Sequence, residues 1–296
     1  MDQAKSYIFR IVRDSKNDEN YVVSNIKADN PKDLNRILKA EMENYPNAIE
    51  FKVKTEKIQE TFNSLESAYD DYFKENRTKY PNIKYGIKLK SPDGKYNPAD
   101  EYVDVIFEAK YVVYGTEEEI PAEKLRSYEE EAEEIAKDFV NKEIEGKNLS
   151  DAEKALKIND YLVKRAAYHH EGVNTYYVED HIAYGVLSDR KKGVCESYAK
   201  AFQLLAEKSG LTSIYVTGQG KNPNKDKGEA HAWNMVKIDG QWYSIDTTWN
   251  DIGEGSRYDY FLKSDDDMKA THTRSTDFNY PAGNGTKDFV AELKLK

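Results

Sequence analysis

The sequence has little or none of the features that mark several large classes of protein. It has one cysteine in 296 residues, which excludes internal disulfides and metal cages built from several thiolates. No stretch approaches the roughly 18 consecutive apolar residues that a membrane-spanning helix needs. The 44 Lys and Arg residues form no basic block and are outnumbered by 54 Asp and Glu residues. We therefore expect no membrane span, no metal or other cofactor, and no nucleic-acid partner.

The residues that are abundant indicate a folded protein. Hydrophobic residues make up 39% of the chain and tyrosine alone accounts for 23 positions, which is too apolar for a disordered protein. A chain of this length forms one large domain or two of ordinary size, and either can bury a catalytic group.

The first part of the chain alternates between strand and helix patterns. The patterned stretches are 7–12 and 102–113 for strands, and 31–45 and 60–76 for helices. An acidic helical run over 121–145 follows, and we place the domain boundary at its start. The sequence predicts a small α+β domain of unknown role over 1–120 and a second domain over 121–296.

The only cysteine lies where a helix is expected to begin. Small and apolar residues recur at spacings of three and four after Cys195, and Gly210 is suited to end the helix. The first-turn amides of a helix have no intrahelical partner and its dipole is positive there, so this position favours a thiolate. The competing interpretation is a buried cysteine that only fills space, which is the more common role of a free cysteine.

A β-hairpin is indicated by Asp239-Gly240, which separates two aromatic and β-branched runs. A two-residue type I′ turn fixes the register, with Ile238 opposite Gln241. Trp233 then faces Asp246, and His231 faces Thr248. His231 and Asp246 thus become diagonal neighbours on one face, where a carboxylate can orient an imidazole.

These three residues form the set that thiol chemistry needs: a nucleophile in Cys195, a base in His231 and an orienting carboxylate in Asp246. The backbone amide of Cys195 would donate to the oxyanion. Tyr184 and His181 are candidates for a second donor, and the spacing does not choose between them. The chemistry is acyl transfer through a thioester.

Several blocks of the sequence resemble the transglutaminase-like superfamily. They are Gly193-Val194-Cys195-Glu196-Ser197-Tyr198-Ala199-Lys200-Ala201-Phe202, Gly210-Leu211, His231-Ala232-Trp233-Asn234 and Asp239-Gly240-Gln241-Trp242-Tyr243-Ser244-Ile245-Asp246-Thr247-Thr248-Trp249. Tyr260 to Asp265, with Met268, His272 and Arg274, is similar to the tail of bacterial members. The match covers roughly 150 to 280. Bacterial relatives commonly have glycine where this chain has Ser197, so we expect altered packing behind the helix.

The resemblance implies an α+β, papain-like core in which a cysteine-bearing helix packs on an antiparallel sheet, with Cys195, His231 and Asp246 as a catalytic triad. Members include cross-linking enzymes, peptidases, amidases and inactive relatives. Two hypotheses therefore stand: an enzyme acting on amide bonds of a protein or peptide, and an inactive surface protein that binds or adheres. The resemblance also implies an extracellular or surface location, with a signal outside this sequence; a cytoplasmic enzyme is the alternative.

Aromatic residues close to these blocks are candidates for the wall of a substrate cleft. They are Trp233, Trp249, Tyr176 and Tyr177. Tryptophans near one hairpin are more often core residues, and this is the competing interpretation. His272 follows an acidic run, Asp265 to Asp267, but the run lacks calcium-loop spacing and is better interpreted as a helix start.

Overall fold

The computed structural model describes residues 10–11, 22–28, 30–76, 83–91, 93–112, 118–173, 177–221, 227–253 and 257–295. The chain divides into two compact units, Met1–Ser127 and Tyr128–Lys296. None of the described helices is both long enough and apolar enough to cross a membrane.

In the described part of the first unit, a five-stranded sheet and two helices precede the helix that begins at Ala122. Its elements are β1 (Arg10–Ile11), β2 (Val22–Ala28), α1 (Pro31–Met42), β3 (Ala48–Lys54), a 3₁₀ turn (Thr55–Lys57), α2 (Ile58–Glu75), β4 (Ile83–Leu89) and β5 (Tyr102–Tyr111). The strand order is β1-β2-β3-β5-β4. Only β2 and β3 pair in parallel, across the connection through α1, and the other neighbours are antiparallel. Both predicted helices are confirmed; the strand predicted over 102–113 is found over Tyr102–Tyr111, and residue 113 lies outside the described residues. Of the predicted strand 7–12, only Arg10 and Ile11 are described.

The elements from α3 onward complete the chain. They are α3 (Ala122–Phe139), a π-helical turn (Val140–Ile144), α4 (Asp151–Arg165), β6 (Ala167–Tyr168), 3₁₀ turns (His170–Val173 and Val178–His181), α5 (Ala183–Leu187), β7 (Lys192–Gly193), α6 (Cys195–Lys208), β8 (Ser213–Gly220), β9 (Glu229–Ile238), β10 (Gln241–Ile245), α7 (Thr247–Asn250), α8 (Asp265–Met268), β11 (His272–Arg274) and α9 (Phe289–Glu292). Four strands form an antiparallel sheet in the order β10-β9-β8-β11, and β6 and β7 form a separate parallel pair.

The ends of α4 and α6 are fixed by local chemistry. At the start of α4, Ser150 and Glu153 form a capping box: each side chain accepts a hydrogen bond from the other residue's backbone N–H. At the end of α6, Gly210 has φ +76°, and the Leu211 N–H donates to the Ala206 carbonyl at 2.9 Å. The predicted capping box and the predicted bounds of the Cys195 helix are confirmed.

Helix α6 packs on the four-stranded sheet. Its buried residues Tyr198, Phe202 and Leu205 share a core with Val236 of β9 and Leu162 of α4. The sheet stabilises one face of α6 and leaves the helix N-terminus at the edge of that core. The α+β fold, with a cysteine-bearing helix on an antiparallel sheet, is confirmed.

Candidate active site

Cys195 is the first residue of α6. Its thiol is free and partly buried, and the residue before it, Val194, has extended backbone. Two contacts hold the preceding turn: the Val194 N–H donates to the Asp180 carbonyl at 3.0 Å, and Gly193 pairs with Tyr168 in the β6–β7 ladder. The thiol is therefore presented by a fixed backbone at the end of a helix where N–H groups lack intrahelical partners.

Ser197, where bacterial relatives commonly have glycine, ties α6 to the segment behind it. Its hydroxyl donates to the Ile182 carbonyl at 2.7 Å and accepts from the Val186 N–H at 3.2 Å. A Cβ at position 193 would lie 2.4 Å from the Ser197 Cβ, so residue 193 must be glycine. The serine thus makes two hydrogen bonds to the α5 segment.

His231 and Asp246 are brought together by the hairpin that the sequence predicts. In the β9–β10 ladder Gln241 pairs with Ile238, which is the expected register. The turn residues Asp239 and Gly240 both have positive φ, 49° and 83°, as a type I′ turn requires. His231 Nε2 lies 2.7 Å from Asp246 Oδ2.

The strand pairing ends sooner than the sequence suggested. The ladder stops at Ile245, so the expected strand pairs of Trp233 with Asp246 and of His231 with Thr248 are wrong. The reason is local: Asp246 is the N-cap of α7, and its Oδ1 accepts from the Trp249 N–H at 3.0 Å. Helix α7 turns the chain away from the sheet and leaves Oδ2 of the same carboxylate facing His231.

Asp246 is fully buried and yet carries charge. Burial acts to raise the pKa of its carboxyl, but the His231 and His272 imidazoles beside it outweigh burial and hold that pKa well below its ordinary value. An ionised carboxylate only accepts hydrogen bonds, so His231 Nε2 carries a proton toward it. When the His231 imidazole is neutral, Asp246 therefore selects the tautomer that has its proton on Nε2.

The other nitrogen of His231, Nδ1, is left for the thiol. Burial acts to lower the pKa of this imidazole, but the charge and hydrogen bond of Asp246, together with a hydrogen bond to the Cys195 side chain, raise it to about 10. The side chain of His231 is only 7% exposed. Such an imidazole can take the thiol proton and remain positively charged between a thiolate and a carboxylate.

A second imidazole, His272 of β11, donates to the same oxygen. Its Nε2 lies 3.0 Å from Asp246 Oδ2, and its Nδ1 lies 2.8 Å from the Thr271 hydroxyl. Sequence reasoning placed His272 in a family-like tail but assigned it no partner. No short turn joins β11 to its neighbour β8, so no register rule was available to place it.

A cleft of about 980 Å³ opens beside His231. Its lining mixes aromatic and charged side chains: Tyr168, His170, Lys227, Glu229, Trp249, Asp251, Arg257 and Tyr260. Trp249, whose ring centroid is 5.1 Å from that of His231, thus lies where the sequence proposed a cleft wall.

Tyr168 is a cleft residue held close to the nucleophile along the chain. In the β6–β7 ladder it pairs with Gly193, two residues before Cys195. Burial, followed by the negative charges of Cys195, Glu229 and Asp246, raises the pKa of this phenol, so it stays protonated and able to donate. Its position in the sequence could have indicated it: Tyr168 lies in β6, just after α4, and β6 pairs with β7, the strand that ends two residues before Cys195.

The remaining predicted site residues lie elsewhere. Trp233 is 2% exposed and its ring packs against His231 and His272, so it is a core residue and the cleft assignment is wrong. Tyr177 is exposed, with Arg190 over its ring, and Tyr176 lies outside the described residues. Tyr184 stacks on Tyr128 with centroids 4.2 Å apart.

His181 is engaged behind the cysteine. Its Nδ1 lies 2.7 Å from Glu196 Oε2, and Lys200 Nζ donates to the His181 carbonyl at 2.8 Å. Burial opposes ionisation of Glu196, but the charge of Lys200 and the contact with His181 lower the pKa of this carboxyl to about 2. Neither His181 nor Tyr184 is among the described residues that line the cleft.

Three donor atoms of His231, Asp246 and His272 lie within 4.8 Å of one another, as metal ligands do. The hydrogen bonds of both imidazoles to Asp246 Oδ2 account for this proximity. The donor set thus satisfies itself without an ion.

Part of this chain is similar in sequence to known proteins. Residues 138–247 match the family model described as the transglutaminase-like superfamily. Kyphoscoliosis peptidase of Mus musculus and that of Homo sapiens are each 31% identical to this chain over 65 residues, or 20% of the chain. The chain spans about a tenth of the length of these curated relatives.

Two solved structures are weakly similar. A structure described as that of a TGase has a TM-score of 0.34 and 13% identity, covering 78% of this chain and 55% of that one. The periplasmic domain of TgpA from Pseudomonas aeruginosa, bound to ethylmercury, has a TM-score of 0.32 and 18% identity, covering 57% and 66%. Nothing about activity follows from scores this low.

Proposed function

Because residues 138–247 match the family model of the transglutaminase-like superfamily, we propose that this protein transfers the acyl group of a protein or peptide amide through a thioester on Cys195. One observation supports the proposal: His231 Nε2 lies 2.7 Å from the buried Asp246 carboxylate, and Cys195 adds to that carboxylate in raising the pKa of the same imidazole. Nucleophile, base and orienting group are then in the order that thiol catalysis needs.

In the first half of the reaction the thiol proton passes to His231 Nδ1 and the thiolate attacks the amide carbonyl carbon. The negative charge that develops on the carbonyl oxygen is stabilised by the Cys195 backbone N–H at the start of α6. We assign the second donor to the Tyr168 hydroxyl, because Tyr168 lines the cleft and pairs with Gly193, two residues before the nucleophile. The C–N bond then breaks, the imidazolium gives its proton to the leaving amine, and a thioester remains.

In the second half an acceptor attacks the thioester. His231 takes a proton from the acceptor, the C–S bond breaks and the thiolate is restored. An amine acceptor gives a new amide and hence cross-linking, whereas water gives hydrolysis. Asp246 stays ionised throughout and holds the imidazole in position.

The distinguishing experiment is mass spectrometry of a glutamine-containing protein incubated with a tagged primary amine. Incorporation of the tag that Cys195→Ala abolishes supports cross-linking, and cleavage of the protein that the same variant abolishes supports a peptidase. If wild type at neutral pH gives neither product, the result favours the binding or adhesion module.

Iodoacetamide labelling separates an active thiol from an inert one without a substrate. An activated Cys195 should be alkylated well below pH 8.5, about where an ordinary thiol titrates. Labelling that follows an ordinary thiol titration would contradict the proposal. The extracellular or surface location expected from the resemblance is part of the same proposal, and fractionation of the producing cells tests it.

A further inference from the structure

His272 lies beside His231, with ring centroids 5.6 Å apart, and contacts the same oxygen of Asp246. Its side chain is 2% exposed and lies among aromatic rings, with centroids 4.9 Å from Trp233, 4.6 Å from Trp249 and 5.4 Å from Tyr260. Burying an imidazole here is costly unless both ring nitrogens have partners. Both do, which gives the ring one orientation.

The partners of His272 engage both of its ring nitrogens. Asp246 is ionised and can only accept, so His272 Nε2 carries a proton toward Oδ2. Nδ1 lies 2.8 Å from the Thr271 hydroxyl. That hydroxyl donates to the Met268 carbonyl at 3.2 Å, which keeps it in the turn before β11.

Asp246 Oδ2 therefore receives two N–H groups, one from each imidazole, while Oδ1 receives the Trp249 N–H. The helix cap holds one oxygen, and the two imidazoles together fix the rotation that aims the other. Burial alone would protonate this carboxyl, so each donor also helps to keep it charged.

We propose that His272 is a positioning residue for the thiol reaction: it holds Asp246 ionised and aimed at His231, and so supports the Cys195–His231 pair without touching substrate. The inference rests on the proposed function and deepens it. The titratable groups that face His272 in the described part of the chain are Asp246, His231 and Tyr260, and the Tyr260 hydroxyl hydrogen-bonds with Thr271.

Two substitutions separate positioning from packing. His272→Phe keeps an aromatic ring among the tryptophans but removes the donor to Asp246. His272→Gln is smaller, but its amide N–H can reach the place of Nε2. If the hydrogen bond matters, glutamine should retain function and phenylalanine should not; if only ring packing matters, the order should be reversed.

For His272→Phe we expect kcat to fall by about 10- to 100-fold, the range for losing a hydrogen bond to a charged group, with KM unchanged. The pH at which iodoacetamide alkylates Cys195 half-maximally should move up toward that of an ordinary thiol. His272→Gln should stay within about fivefold of wild type in kcat and keep its alkylation profile, since it loses only packing. Thermal unfolding shows whether each variant is folded.

Thr271→Val is the variant to use if His272→Phe does not fold. It removes the hydroxyl that hydrogen-bonds with His272 Nδ1 and should shift the alkylation profile in the same direction, with a loss of about fivefold in kcat.

The outcomes separate this inference from the proposed function. Suppose that wild type has an activated thiol and that folded His272→Phe, or Thr271→Val if that is used, keeps the same alkylation profile. This result overturns the role of His272 and leaves the proposed function standing. A loss in His272→Gln as large as in His272→Phe also overturns it. Ordinary thiol titration in wild type overturns the proposed function and this inference with it.

Discussion

The two imidazoles that hydrogen-bond to Asp246 have similar sets of partners, which define two sides of this carboxylate. On one side a thiol, Cys195, meets an imidazole, His231; on the other a hydroxyl, Thr271, meets a second imidazole, His272. Both imidazoles present Nε2 to the same carboxylate oxygen, at 2.7 and 3.0 Å.

The two sides differ in what surrounds the Cys195 thiol and the Thr271 hydroxyl. Cys195 stands at a helix N-terminus, and its partner His231 lines the cleft. Thr271 is 9% exposed and its hydroxyl also contacts the Met268 carbonyl within a turn. Under the proposed function, the thiol beside a cleft and unpaired helix amides serves as a nucleophile, whereas the hydroxyl held within a turn serves as a structural support.

The largest effect is expected on the thiol side. His231→Ala should reduce turnover by about 10³-fold or more, because the thiol loses its base, while the fold stays intact since the ring lies at the edge of the cleft. Turnover is measured with the amide substrate, and circular dichroism checks the fold. Unaltered turnover in this variant would remove His231 from the chemistry.

Asp246→Asn should act on both sides at once. We expect turnover to fall by about 10²- to 10⁴-fold, since an amide can favour the wrong tautomer of His231. The matched control is Asp180→Asn, because Asp180 is also fully buried and paired with an imidazole, His169, at 2.9 Å. The control should lose more stability than turnover; equal losses of turnover in the two variants would contradict the special role of Asp246.

Gly220→Ala should disturb the thiol side through packing. A Cβ at Gly220 would lie 2.9 Å from the Trp249 ring and 3.0 Å from the His231 ring, so one ring must move. A displaced base costs about tenfold or more in turnover.

Gly86→Ala, in β4, is the control for this substitution, since a Cβ there meets nothing within 4 Å. It should leave turnover unchanged. Equal turnover in both alanine variants would show that the rings near Gly220 adapt without cost.

The smallest expected effect is on a pKa. In Cys195→Ala the pKa of His231 should fall below about 10 but stay above 6.5, because the thiol no longer helps to hold the proton and Asp246 still does. NMR titration of the imidazole measures it. A value unchanged from wild type would mean that sulfur and ring do not interact.

The same pKa shifts set how the pair contributes to stability. His231 titrates higher in the folded state, so its contribution is fully present below pH 6.5 and is lost as the pH rises through about 10. The pKa of Asp246 is lowered, so its contribution is present above 3.8 and is lost as the pH falls. The pair therefore stabilises the fold most between these two ordinary values.

Much of the thiol side could be predicted from the sequence because it depends on short-range rules. The apolar spacing after Cys195 predicts the helix, and Asp239-Gly240 fixes the register that brings His231 toward Asp246. The sequence did not predict that strand pairing would stop at Ile245, because Asp246 serves as an N-cap only when the next residues turn into a helix.

The position of His272 and the lining of the cleft could not be predicted in this way. Strand β11 reaches β8 across about 50 residues with no hairpin turn, so no local rule places His272. Trp233 and Trp249 look equivalent in the sequence, yet one is core and the other lines the cleft.

The sequence by itself determined the helix that begins at Cys195, the hairpin register and the meeting of His231 with Asp246, since each follows from neighbours within a few residues or from one turn. Only the tertiary structure decided that the thiol meets that pair, that His272 shares its carboxylate and that Tyr168 pairs with Gly193, two residues before the cysteine. These contacts join segments far apart in the chain, and packing of the whole core, rather than any local preference, sets the distances between them.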